Sequence, residues 1–161
     1  MRRRYGDSWP LAAVLALVLA LSACSARSAG DEAVQAAKVG TGEVRHDLEP
    51  LIRRFPQLVG APSAMWMSGT MGDPRVPGPS TYWIDAIVEL PDEEHAELIN
   101  AVSAAELPLP EDFSPRLHGA IPTGQLHSSS DLNKRFSQGR SVCSVYLEAD
   151  GRTLILSTRF Q

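Results

Sequence analysis

Two runs of residues, Ser141 to Ala149 and Arg152 to Phe160, meet at the pair Asp150 and Gly151. A two-residue Asp-Gly link between strand-like runs predicts a β-hairpin closed by a type I′ turn. Because side chains alternate with a period of two, a hairpin of that loop length fixes its own register. Leu147 then faces Leu154, Val145 faces Leu156, and Cys143 faces Thr158. One side of the hairpin is apolar and the other mixed, so it must lie against a core.

Further upstream a second pair of extended runs is expected, Ser63 to Met71 and Ser80 to Leu90. The latter alternates clearly, with Tyr82, Ile84, Ala86, Val88 and Leu90 on one side and Trp83, Asp85, Ile87 and Glu89 on the other. Gly72 to Pro79 connects them and carries Pro74, Pro77 and Pro79, which restrict much of its backbone.

Helical spacing of Val44, Leu48, Leu51, Ile52 and Phe55 predicts a helix from Leu48 to Phe55, capped by Asp47 and stopped by Pro56. Pro50 falls in the first turn, where its missing N–H costs nothing. Pro91 followed by Asp92, Glu93 and Glu94 opens a second helix with Leu98, Ile99 and Val102 on one side, ending by Glu106. From Leu107 to His127 there are four prolines, two glycines and no period. This stretch reads as a long wrapping loop pinned by Leu109, Phe113, Leu117 and Ile121. A short third helix, Asp131 to Gln138, follows a serine cap within Ser128 to Ser130.

These elements predict an α+β fold, an antiparallel sheet of about four strands with helices on one face. The segment Leu51 to Gln57 echoes Leu132 to Gln138, sharing Leu, Arg, Phe and Gln at matching positions. Each echo precedes a strand pair, which is compatible with two helix-strand-strand units.

The other end of the chain is built differently. Arg2, Arg3 and Arg4 precede an unbroken apolar run from Leu11 to Leu21, which ends in Ser22 and Ala23. A run of about 11 residues covers roughly half of a hydrocarbon core about 30 Å thick, so it reads as an export signal rather than a spanning helix. Leu21, Ser22, Ala23 and Cys24 then resemble the lipobox of bacterial lipoproteins. That resemblance implies a signal peptide over residues 1–23, removed before Cys24, and a diacylglycerol on the Cys24 thiol. Two or more acyl chains make a lasting membrane anchor where one is marginal. Residues 24–42 are mostly small and charged, with no large apolar side chain, and read as a flexible tether. The single domain is expected over residues 43–161. Within it, the run from Arg75 to Ile84 is similar to a segment of small actinobacterial lipoproteins, and that resemblance brings no activity with it.

Charge narrows the partners. The chain has 15 Lys and Arg against 19 Asp and Glu, and three of the arginines lie in the signal segment. The acidic remainder, without a basic stripe, argues against nucleic acid. Once Cys24 is lipidated, Cys143 has no cysteine to pair with, and its place on the apolar side of the hairpin makes it a small buried hydrophobe. His46, His95, His118 and His127 fall in no metal or nucleophile spacing, and no phosphate loop or Gly-x-Ser-x-Gly elbow occurs. The sequence therefore predicts no catalytic set, no metal and no cofactor.

What folding alone explains least is the proline-rich connection and its edges. Arg75 offers a forked donor, and Trp66, Tyr82 and Trp83 are of the types favoured at interface centres. The expectation is a lipid-anchored protein of the cell envelope, on the extracytoplasmic side of the membrane, that binds an envelope protein or wall component without chemistry. A small-ligand-binding accessory lipoprotein is the alternative, and an envelope hydrolase without a recognisable motif is a third.

Overall fold

The structure is a computed structural model, and it describes residues 37–39, 42–72, 75, 81–102 and 105–160. All of them belong to one compact unit, Ala36–Gln161. The signal segment and Cys24 lie outside the described residues.

The fold is α+β, built on an open antiparallel sheet of seven strands. In chain order these are β1 (Lys38–Val39), β2 (Ser63–Met71), β3 (Thr81–Glu89), β4 (Ala105–Glu106), β5 (Leu126–Ser128), β6 (Ser141–Glu148) and β7 (Thr153–Phe160). They lie side by side as β1-β2-β3-β7-β6-β5-β4. The four long strands are the expected ones. The three extra strands have two or three residues each, too few for alternation to register in a sequence. The count of about four is corrected to seven for that reason. β1 also puts Lys38 and Val39, inside the expected tether, at the sheet edge, and Ala105 and Glu106 are strand rather than the end of a helix.

The helices are α1 (Glu49–Arg54), α2 (Asp92–Ala101) and α3 (Ser130–Phe136). α1 holds Pro50 in its first turn, as its missing N–H requires, but Leu48 rather than Asp47 is the N-cap. Asp47 is engaged instead by the side chain of Arg45. After Phe55 the chain tightens into a 3-10 turn, Pro56–Leu58. At α3 the Ser129 hydroxyl accepts from the Leu132 N–H at 3.1 Å, satisfying an N–H that the helix leaves unpaired.

Alternation sorts the sheet into two faces. On one, Leu51, Phe55, Leu58, Leu98, Leu132 and Phe136 from the helical segments pack on Trp66, Ala86, Val88, Val145, Leu147, Leu154 and Leu156. The two echoing segments meet there, where the Gln57 side-chain amide donates to the Arg135 carbonyl at 2.7 Å. On the other face no described α-helix packs, but a 3-10 helix within the long connection, Pro115–Ala120, lies there with Leu117 buried. The connection covers this face, with Phe113 and Leu117 buried against Met67, Trp83, Ile87, Tyr146 and Ile155, and Leu109 and Ile121 beside them.

The hairpin of β6 and β7 has the expected register, Leu147 with Leu154, Val145 with Leu156 and Cys143 with Thr158. Its turn is not type I′. That turn needs positive φ at both central residues, and neither Asp150 nor Gly151 has it. The backbone groups that a tight turn would pair are taken elsewhere: the Ala149 N–H donates to Gln125 O, and Arg152 O accepts from the Leu90 N–H, both at 2.9 Å. The Glu148 carboxylate lies against Gly151, so a side chain there would have to displace it.

Candidate functional site

The segment leading from β1 to α1 runs along the outer edge of β2 as a strap. Lys38 pairs with Met71 and Val39 with Thr70. Farther on, Arg45 and Trp66 exchange backbone hydrogen bonds of 2.8 and 2.9 Å. Between these contacts the strap passes Gly42, where a Cβ would sit 2.6 Å from the Ser68 carbonyl oxygen, so only glycine permits the approach. Residues paired across an antiparallel ladder share a face. Lys38 and Arg45 therefore leave the same strap on opposite faces of the sheet.

On the helical face, the Arg45 guanidinium carbon lies 4.2 Å from the centre of the Trp66 ring. Arg45 Nε donates to Asp47 Oδ1 at 2.9 Å, with a second bond from Nη2 to Oδ2. That pair holds Asp47 below the usual carboxylate range and raises Arg45. The Trp66 indole N–H donates to the Asp47 carbonyl at 2.9 Å, so one residue positions both partners. Beside them opens a cleft of about 370 Å³ between α1 and β2–β3, lined by Arg45, Pro50, Arg54, Trp66, Tyr82 and Ile84 among others. Ser68 and Thr70 add hydroxyls. Tyr82 is 47% exposed. Arg54 lies over Phe160, 5.0 Å from the ring centre.

The opposite face holds a buried charge pair. Asp85, on β3 and 0% exposed, receives Lys38 Nζ at 2.8 Å on both oxygens. The Ser114 N–H and the Ser157 hydroxyl each donate to it at 2.8 Å. Lys38 also donates to the Asp112 carbonyl at 2.8 Å and lies 5.2 Å from the centre of the Trp83 ring. Both oxygens of Asp85 are thus occupied by donors, which makes the pair a structural tie between the strap and the sheet.

Arg159 donates to Asp112 Oδ2 at 2.6 Å. Burial pushes the Asp112 carboxyl up, but the Arg159 hydrogen bond and the charges of Lys38 and Arg159 outweigh it and hold it below the usual range. A depressed folded-state pKa stabilises the fold above the unfolded value near 3.8. That contribution is lost as pH falls from there through the folded value. Asp112→Asn is therefore expected to lower the melting temperature at pH 7 and to change it little at about pH 2. An equal deficit at both pH values would assign the loss to packing instead.

Of the residues singled out in the sequence, Trp66, Tyr82 and Trp83 line the cleft. The Trp83 side chain belongs to the other face, buried beside Met67 and Phe113, with its indole N–H donating to the Val39 carbonyl at 3.3 Å. Arg75 is exposed in a turn and is not among the residues lining the cleft. The prolines of the connection, Pro74, Pro77 and Pro79, lie outside the described residues. Arg45, Pro50 and Arg54 were missed. Their contribution comes from where α1 sits on the sheet, and no local pattern marks it.

Cys143 is buried, its thiol donating to the Phe136 carbonyl and accepting from the Thr158 hydroxyl, both at 3.2 Å. His46, His95 and His118 each contact a backbone carbonyl, of Ala64, Glu148 and Phe113 respectively. Among the described residues no three His, Cys, Asp or Glu side chains converge as metal ligands, and no helix is long and apolar enough to cross a membrane. No family model, curated protein or solved structure matches the chain.

Proposed function

We propose that this is a lipid-anchored envelope protein whose single α+β domain acts on the extracytoplasmic side as a binding module without chemistry. The observation that carries the reading is the cleft beside α1. It combines a half-exposed tyrosine, a tryptophan held from two sides and an arginine over an aromatic ring, which are the side-chain types that dominate recognition surfaces. The lipobox resemblance at Leu21 to Cys24 supports the anchor, and the residues after Cys24 supply the tether. The small-ligand reading draws support from the volume of the cleft, about 370 Å³, near the lower end of the range for small-molecule sites. In this reading the two helix-strand-strand units are the scaffold, and the cleft belongs to the first of them.

The test replaces Tyr82 with a benzophenone amino acid in cells of the native host, with and without Cys24→Ala. Val142, exposed on β6, serves as the control position. The expected result is an adduct from Tyr82 and none from Val142, with the protein leaving the membrane fraction when Cys24 is replaced. Absence of a Tyr82 adduct overturns the binding module. Persistent membrane retention and lipid labelling of the Cys24→Ala chain overturn the anchor.

A further inference from the structure

The cations around the cleft are unequally engaged. Arg45 spends its Nε and one terminal nitrogen on Asp47. Arg53, the neighbour of Arg54 on α1, reaches Glu49. Arg54 pairs with no carboxylate among the described residues, and its recorded contact is the ring of Phe160. The ring takes up one side of the guanidinium, whose carbon lies 5.0 Å from the ring centre, and leaves its N–H donors without a carboxylate among the described residues. Phe160 is in turn set by Phe55, whose ring centre lies 6.3 Å away. One held cation thus stands at the rim of a cleft lined by Trp66, Ile84, Pro50 and Tyr82, in a chain that is acidic overall.

Two other hollows among the described residues lack such a cation. The one lined by Glu89 and Arg152 already contains their ion pair at 2.6 Å. The one around Leu107, Pro108 and Leu109 has Glu106 as its charged residue.

We propose that the cleft beside α1 binds a small monoanion with a flat apolar body, of the aromatic carboxylate class. The acid group sits on Arg54, with the ring against Tyr82 and the Trp66 side of the cleft. The proposal rests on the binding-module reading and names its ligand. One unbalanced cation suits one negative charge, since a dianion would need a second. The aromatic and prolyl lining suits a flat apolar body, and the Ser68 and Thr70 hydroxyls are available for a second hydrogen bond.

The experiment is equilibrium dialysis of 2-naphthoate and of its neutral analogue 2-naphthamide against the full chain in lipid nanodiscs, with empty nanodiscs as the blank. The expected result is roughly tenfold tighter binding of naphthoate, as one charge-assisted hydrogen bond provides. Arg54→Gln, an exposed substitution that leaves the core intact, is expected to abolish the preference for naphthoate over naphthamide. Arg54→Lys should keep part of it. In chain labelled with 5-fluorotryptophan, the Trp66 fluorine signal should shift on addition of naphthoate. Equal binding of the two probes, a preference that survives Arg54→Gln, or no uptake of naphthoate overturns the proposal. If naphthoate fails while the benzophenone at Tyr82 still forms an adduct, the binding module stands and the aromatic acid does not.

Discussion

Replacing Lys38 with methionine lowers the free energy of unfolding by about 3–5 kcal/mol, the loss expected when one partner of a buried ion pair is removed. Lys38 lies in a two-residue edge strand, where most substitutions change little. Its ammonium, however, meets both oxygens of Asp85, a carboxylate with no solvent exposure in one of the inner strands of the sheet. Without the lysine, the Ser114 N–H and the Ser157 hydroxyl remain as donors, and two neutral donors do not replace a cation in a low-dielectric site. The double variant Lys38→Met, Asp85→Leu should lose less than the sum of the single losses, because it removes the stranded charge. Urea unfolding of the full chain measures all three. A loss below about 1 kcal/mol for Lys38→Met, the scale of an exposed pair, would mean that Asp85 does not depend on this cation.

Phe113→Ala carries a similar cost, about 3–5 kcal/mol, although Phe113 lies in an irregular connection. Surface-loop substitutions usually stay within about 0.5 kcal/mol. Phe113 differs because it is buried against Met67, Trp83, Ile87, Tyr146 and Ile155, the apolar part of the sheet face that no described α-helix covers. Its removal leaves a cavity walled by strands that cannot collapse without breaking their ladders. Leu107→Ala, at a half-exposed position of the same connection, should fall within the ordinary surface range. A midpoint shift for Phe113→Ala no larger than that for Leu107→Ala would show that the connection is a loose cover rather than a second layer.

The long strands and their pairing were legible because alternation is a local property. Tyr82 to Leu90 and the β6–β7 hairpin declare their faces residue by residue, and the register of the hairpin follows from its loop length. The serine cap before α3 and the proline in the first turn of α1 were legible for the same reason. Long-range contacts between short segments were not. Lys38 and Asp85 are 47 residues apart, and the lysine sits among small residues that read as a tether. Arg45 draws its place from a bridge to Trp66, with only Gly42 hinting at a close approach. The aromatic types singled out in the sequence, Trp66, Tyr82 and Trp83, all line the cleft. Neighbouring positions on a strand face opposite ways, so the Trp83 side chain packs on the other face of the sheet from that of Tyr82. The arginines of the cleft depended on the docking of α1, which no residue in α1 announces by itself.

The sheet ends on both sides in strands of two residues, β1 and β4. An open sheet normally invites growth, because the last strand presents a row of unsatisfied backbone groups to any extended segment that drifts past. Here a visiting strand finds a foothold only two residues long. If the chain is trimmed to begin at Glu43, where composition alone would place the start of the domain, the backbone of Thr70 and Met71 is uncovered and Asp85 is left without its cation. The shortened protein is therefore expected to pair edge to edge with its own copies more readily than the chain that carries β1.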